Sequence, residues 1–446
     1  MEKVLKRIQD ADIEFVRFEV TDMSGISRMK MIPARHFKSK AENGVTFYAG
    51  YLAIDTVGNY QRGSGFTGEL GHADVLLLPD MDTFEIIPWW ENTARILLEP
   101  VLNGKEVSAA PRFIAKNQLE ELKAMGYSLL SAHEYEFYAV KEDTLEPIFK
   151  NGSCRATQNF YESTTFLYQL GRDLPKVGID IEYLETERGP GQIEIPYKPS
   201  FGIKAADIAF TFKGAVKEIA KQHGLMASFM SKPFPGLSGS SCHFNHSLWD
   251  VECKEALTFD AESPDKLSEV AKYWIAGILH HAPALTLIMG PTINCRRRFI
   301  KWKCVPTYPT WGFDNRSAAV RVKTNDESST YLENRIGAAG SNPYLVLAAT
   351  VAAGIDGIRK KLPLPPYIEG SAYKEEYLPE NTARLPKSMP DAIEAFLQDD
   401  VIRDAFGEDF VKAFVSIKNY EITKSNEAEV NDMGEKWEWQ TYFEYL

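Results

Sequence analysis

Apolar and polar positions alternate with a period of two through FVRFEVTD, GISRMKMIPA, ADVLLLPD, DTFEIIPWW and ARILLEPVL, with Gly and Pro between the runs. That period predicts strands, because successive side chains on a strand point to opposite faces. These runs make residues 10–100 a small β unit. The chain turns polar over residues 103–112, and PRFIAKNQLEELKAMGYS then changes to a helical period that ends at Gly126. Beyond it strands alternate with long helices, so residues 108–446 read as an α+β body. In KAADIAFTFKGAVKEIAKQHG the residues Ile208, Phe212, Ala215, Val216 and Ile219 form one apolar stripe. NPYLVLAATVAAGIDGIRKK is apolar and rich in small residues nearly all round, which predicts a buried core helix. The only long irregular stretch, PLPPYIEGSAYKEEYLPENTARLP, suits a mouth or an interface.

Composition sharpens this picture at a few points. A chain of 446 residues exceeds the size at which one core keeps growing, so two domains are expected. The formal charge of −12 argues against a general nucleic-acid or membrane-surface binder. Five scattered cysteines fit a reduced, cytoplasmic compartment better than a disulfide scaffold. MEKVLKRIQDADI reads as a short amphipathic helix without the apolar centre of a signal peptide, and no stretch reaches about 18 uninterrupted apolar residues.

The chemistry lies in four short motifs. In SLLSAHEYEFYAV, Glu134 and Glu136 share one face of a buried strand. In LETERGPGQIEIPY, a turn through Gly189, Pro190 and Gly191 can fold Glu187 back beside Glu194. His243 and Asn245 share a face in SSCHFNHSLWD, and Glu333 and Arg335 do so in YLENRIG. Singly, such motifs are ordinary solvated strand faces or core histidines. Together, five carboxylates and an imidazole are an oxygen-rich donor set for hard divalent cations such as Mg²⁺ or Mn²⁺. No Cys-x-x-Cys pair is present to build a zinc finger.

These motifs, in this order, resemble the class I glutamine synthetase family over essentially the whole chain, with VRFEVTDMSGISRMKMIPA and VLLLPDMDTFEIIPW at the expected places. The resemblance implies a β-grasp-like N-terminal domain over residues 10–100. It implies a catalytic-type domain with a curved antiparallel sheet and helices over residues 108–446, and a homo-oligomer of two stacked hexameric rings. By the family's pattern, Glu136, Glu187 and Glu194 match the ligands of one cation, and Glu134, His243 and Glu333 those of the other. Arg298, Arg335 and Gly239 match positions that hold the amino-acid substrate, while Arg316, Arg321 and Asn245 fall to the nucleotide and its phosphates. The implied chemistry is ATP-dependent phosphoryl transfer to a carboxylate, in which cations and guanidinium groups neutralise the phosphate. An amine then displaces the phosphate.

The pattern fails where ammonium would be handled. Tyr48 stands at the family's ammonium-binding aspartate, Cys304 at the flap glutamate, Tyr331 at an arginine near the β-phosphate, and Ser238 at an asparagine before Gly239. The flap segment RFIKWKCVP is also far more basic than the family's. A phenol and a thiol do not replace two carboxylates, so ordinary glutamine synthesis should be badly impaired. WGFDNRSAAVRV resembles the branch acting on polyamines and other amines, which implies a γ-glutamyl-amine ligase. FVRFEVTD, GIKAADIAFTFKGAVKEIA and NPYLVLAATVAAGIDGI resemble most closely the lengsin branch of the eye lens. That branch implies a structural or chaperone-like role beside intermediate filaments, with Mg-ATP still able to bind. On overall resemblance the second reading leads.

Overall fold

Seven strands near the N-terminus form one sheet, in the order Ser27–Pro33, Phe15–Thr21, Thr93–Leu102, Asp74–Pro79 and Val45–Tyr48, with Glu85–Ile86 and Lys105–Glu106 also paired to Thr93–Leu102. The central pair, Phe15–Thr21 and Thr93–Leu102, is parallel and the other pairs are antiparallel. The structure, a computed structural model, describes residues 1–300 and 304–446. Val16, Phe18 and Val20 bury one face of the sheet. The short helix Phe37–Asn43 covers it, with the Phe37 ring edge-on to Phe18 at 5.8 Å and to Phe84 at 6.1 Å. This is a β-grasp arrangement. The alternate face carries Arg17, Glu19 and Arg95, yet these too are buried. They are tied to the helix Ile203–Gln222 through Arg17 to Glu218 (2.5 Å) and to one another through Arg95 to Glu19 (2.6 Å). Burial of such charges is tolerated because each is paired.

The second sheet has nine strands, ordered Trp311–Phe313, Val320–Lys323, Tyr331–Asn334, Cys242–Asp250, Tyr127–Lys141, Gln192–Glu194 and Glu185–Thr186. Ser200–Phe201 and Leu225–Ser228 also pair with the 15-residue strand Tyr127–Lys141, which is therefore the spine of the sheet. All pairs are antiparallel except Trp311–Phe313 with Val320–Lys323. Along the spine, Tyr135 and Phe137 face a core with Phe212 and Phe229, contributed in part by the predicted apolar stripe of Ile203–Gln222. The opposite face carries Glu134 and Glu136.

Two long helices, Glu269–Met289 and Pro343–Lys360, pack against each other behind this sheet. They cross at glycines because nothing larger fits: a Cβ on Gly277 would lie 2.1 Å from Ala353 O, and one on Gly357 2.1 Å from Tyr273 O. One continuous core joins both sheets, running from Phe18, Phe37 and Ile96 to Trp274, Leu345 and Phe410. Asn342 caps Pro343–Lys360 and also donates to Asp22 O across the junction at 3.0 Å.

Candidate active site

Strand register builds the site. Directly opposed residues share a face, and the register opposes Glu194 to Glu136, His243 to Glu134, Asn245 to Glu333, and Arg321 to Glu333. Motifs separated by up to two hundred residues thus converge on one concave stretch of sheet. A one-residue slip in any pairing would send its carboxylate into the aromatic core instead.

Glu134, His243 and Glu333 bring one ligand atom each to within 4.8 Å of one another. His243 Nδ1 lies 3.0 Å from Glu134 Oε1 and 3.3 Å from Glu333 Oε1. Burial, and then the nearby Arg335, push the imidazole well below its ordinary pKa, so the ring is neutral and can offer a lone pair. Asn245 Nδ2 donates to Glu134 Oε2 at 2.9 Å. Two carboxylates converging on a neutral imidazole nitrogen fit a divalent cation.

Glu185, Glu187 and Glu194 form a second such group. The hairpin that carries them opposes Glu194 to Glu185, while Glu187 N bonds Gln192 O at 2.8 Å across the turn. The turn needs glycine: a Cβ on Gly189 would sit 2.1 Å from Tyr138 Oη, and Gly191 has φ of +73°. Glu185 was not singled out by the sequence reading, although the same alternation that pairs Glu134 with Glu136 pairs Glu185 with Glu187. Glu136, expected beside Glu187 and Glu194, is opposed to Glu194 but also accepts from Gln192 Nε2 (2.9 Å) and Ser241 N (3.2 Å). Its carboxyl is pushed up by burial and by Glu187, and that of Glu194 by burial and by Glu134 and Glu136. Among the described residues, of these carboxylates Glu185 alone forms an ion pair, with Arg155, whose Nη2 donates to it at 2.8 Å. Three clustered carboxylates with one guanidinium between them are short of positive charge, which again fits a bound cation.

Arginines line the other side. Arg298 and Arg335 are each 2 % exposed. Arg298 donates to Ile336 O (2.9 Å) and Ser241 Oγ (3.0 Å), and Arg335 to Glu333 and to Cys304 O (3.2 Å), leaving the Nε of each without a partner among the described residues. Arg321 bridges Glu333 (3.0 Å) and Asp314. Arg316 is exposed on the loop after Trp311–Phe313. Gly239 lies against Arg298: its carbonyl accepts from Gln192 Nε2 at 3.0 Å, and an added Cβ would come within 3.4 Å of the arginine.

Cys304 is exposed, and Lys301, Trp302 and Lys303 of the basic segment lie outside the described residues. Tyr48 ends the edge strand of the first sheet, where its hydroxyl meets His72 Nδ1 at 2.8 Å and its ring meets Tyr60 at 5.0 Å. None of these partners belongs to the acidic cluster. Asp55, the first carboxylate after Tyr48 along the chain, is consumed by its own turn, accepting from Val57 N, Asn59 N and Asn59 Nδ2. Among the described residues no helix is long and apolar enough to cross a membrane.

A family model for the glutamine synthetase catalytic domain matches residues 108–442. The chain belongs to the glutamine synthetase family. Among its relatives, lengsin of Rattus norvegicus is 36 % identical, with 97 % of this chain and 77 % of lengsin covered. Glutamate–isopropylamine ligase of a Pseudomonas species is 33 % identical over 100 % of this chain and 98 % of the ligase. A solved ADP complex of GmaS superposes with a TM-score of 0.85 at 26 % identity, covering 96 % of this chain and 97 % of GmaS. The glutamine synthetase family uses ATP and divalent metals, and both acidic groups of this chain are of the kind such metals require.

Proposed function

We propose that the protein is an ATP-dependent ligase joining the side-chain carboxylate of glutamate to an amine bulkier than ammonium. The observation that carries this reading is the pair of convergent carboxylate groups, kept buried or half-buried although like charges without cations destabilise a fold. Glu134, His243 and Glu333 would hold one cation, and Glu185, Glu187, Glu194 and Glu136 the other. Such cations supply charge neutralisation to a transferring phosphoryl group. Arg298, beside Gly239, and Arg335, each with an Nε unpartnered among the described residues, would orient an anionic amino-acid substrate. Arg316, exposed and without a carboxylate partner among the described residues, is free to meet phosphate, as is Arg321 once Asp314 releases it.

Loss of the ammonium carboxylates is then a change of acceptor. Tyr48 and Tyr60 present paired rings where a carboxylate would favour a small cation, and aromatic faces suit alkylammonium groups. In a ring oligomer of the family's type, the first sheet of one subunit would bring Tyr48 to its neighbour's acidic cluster. The resemblance to an isopropylamine ligase supports this direction. Resemblance to lengsin supports a second reading, a ring assembly that binds Mg-ATP for stability and serves a structural role in the cytoplasm.

Hydroxylamine distinguishes them, because it intercepts an acyl phosphate as a coloured hydroxamate. Wild-type protein with Mg-ATP and glutamate should give γ-glutamyl hydroxamate, and Glu333→Gln should not. Absence of product from wild type, with nucleotide demonstrably bound, would reject the ligase and leave the structural reading.

A further inference from the structure

Outside the acidic site, Arg296 is a buried cation with no ion-paired carboxylate among the described residues. Arg296 is 7 % exposed; its Nη2 donates to Thr286 O at 2.7 Å and its Nη1 reaches Pro386 O at 3.5 Å, while Nε has no partner among the described residues. No carboxylate among the described residues forms an ion pair with it. The adjacent Arg297 is different, being neutralised by Glu438 at 2.6 Å. Burial pushes the Arg296 guanidinium below its ordinary range, as an uncompensated charge requires.

Arg296 lines a cavity of about 710 Å³ whose walls include Ile293, Ile300, Met389 and Ile422. Lys387 stands at its edge, and no salt bridge ties it to a described residue. Asp391, on the first turn of the helix Met389–Gln398, also lines it and disfavours a doubly charged guest. One buried cation, one lysine, one opposing carboxylate and apolar walls specify a single negative charge on an apolar body.

We propose that this cavity binds a small organic monocarboxylate. Its position gives the binding a consequence: Arg296 and Arg298 belong to one tight turn, in which Arg297 N bonds Asn294 O at 3.1 Å and Arg298 N bonds Cys295 O at 3.2 Å. A carboxylate held by Arg296 therefore stiffens the turn that presents Arg298 to the acidic cluster.

Thermal unfolding and calorimetry of the full chain test this with butyrate and benzoate, against butyramide and inorganic phosphate. Saturating glutamate and Mg-ADP are present throughout to occupy Arg298 and Arg335. The carboxylates should raise Tm saturably and the amide and phosphate should not. Lys387→Ala, a change of an exposed residue, should weaken the carboxylates by about tenfold, the worth of one charged hydrogen bond. Arg296→Met should abolish the effect while leaving the ligand-free Tm equal or higher, because a buried unpaired charge is removed. If Arg296→Met does not fold, Lys387→Ala decides. An absent carboxylate effect, an equal effect of butyramide or phosphate, or undiminished binding in Lys387→Ala would overturn the proposal.

Discussion

Glu194→Gln isolates the charge balance of the acidic cluster, since it preserves shape and removes one charge. Glu194 is buried and faces Glu136 on one neighbouring strand and Glu185 on the other. Directly opposed side chains lie about 5 Å apart. Two unit charges at that distance repel by roughly 3 kcal/mol at an effective dielectric of about 20. Proton uptake by the cluster relieves part of this, so the cation-free wild type should carry about 2 kcal/mol of avoidable repulsion at pH 8. The sign follows from the raised carboxyl of Glu194. An acid whose pKa is higher in the folded state costs nothing below its unfolded pKa, near 4.3, and costs progressively more as pH rises toward the folded value. Urea unfolding at pH 5 and pH 8, in chelator and in Mn²⁺, measures it. In chelator at pH 8 the variant should be more stable than wild type by about 2 kcal/mol, with a smaller difference at pH 5. At a hundredfold excess over Kd, Mn²⁺ should add about 2.7 kcal/mol per site to wild type, and one such increment should be lost in the variant. A variant less stable than wild type in chelator, or one retaining the full Mn²⁺ gain, would refute the reasoning.

Three further outcomes follow from other parts of the molecule. His281 lies 2.7 Å from Asp399 Oδ2 through Nδ1 and 3.0 Å from Asp356 Oδ2 through Nε2, so both nitrogens must carry protons to satisfy two acceptors. Burial opposes its charge but these carboxylates prevail and raise its pKa; the stabilisation is therefore full below about pH 6.5 and is lost as pH rises through the folded value. His281→Gln should cost about 1–3 kcal/mol at pH 5.5 in urea unfolding, and a cost that does not shrink by pH 9 would count against the bridge. Gly189→Ala pushes a methyl into Tyr138 Oη and displaces the hairpin of Glu187 and Glu194; calorimetry should show Mn²⁺ affinity at that site falling by about tenfold or more. Combining Tyr48→Asp with Cys304→Glu should raise ammonium-dependent ADP release over wild type, and an unchanged rate would show that these two positions do not govern the acceptor.

How much of this was legible in the chain depends on whether the information is local. Period-two runs marked the strands Phe15–Thr21, Tyr127–Lys141 and Cys242–Asp250, and the stripe from Ile208 to Ile219 marked the helix that fills the second core. Register is not local, and register is what opposes Glu194 to Glu185 and to Glu136; the family's pattern paired the motifs, but nothing in it singled out Glu185. Glu269–Met289 escaped notice because it is buried almost all round, so no polar face gives it a period, and Pro283 lies inside it. Arg17, Glu19 and Arg95 occupy the polar positions of period-two runs, yet they are buried because Glu218 and Thr211 of a distant helix receive the two arginines and Arg95 pairs with Glu19. The parallel pair Trp311–Phe313 with Val320–Lys323 likewise depends on a connection that no hydrophobic pattern encodes.

The central claim is that phosphoryl-transfer machinery is kept while the acceptor has changed. It is tested most directly by ADP release from the purified protein with Mg-ATP and glutamate, comparing ammonium, isopropylamine, a polyamine and no acceptor. The account predicts release that depends on an alkylamine or polyamine, with the matching γ-glutamyl amide identified by mass and little response to ammonium. Release with ammonium equal to that with every amine, or no release with any acceptor while nucleotide binds, would contradict it.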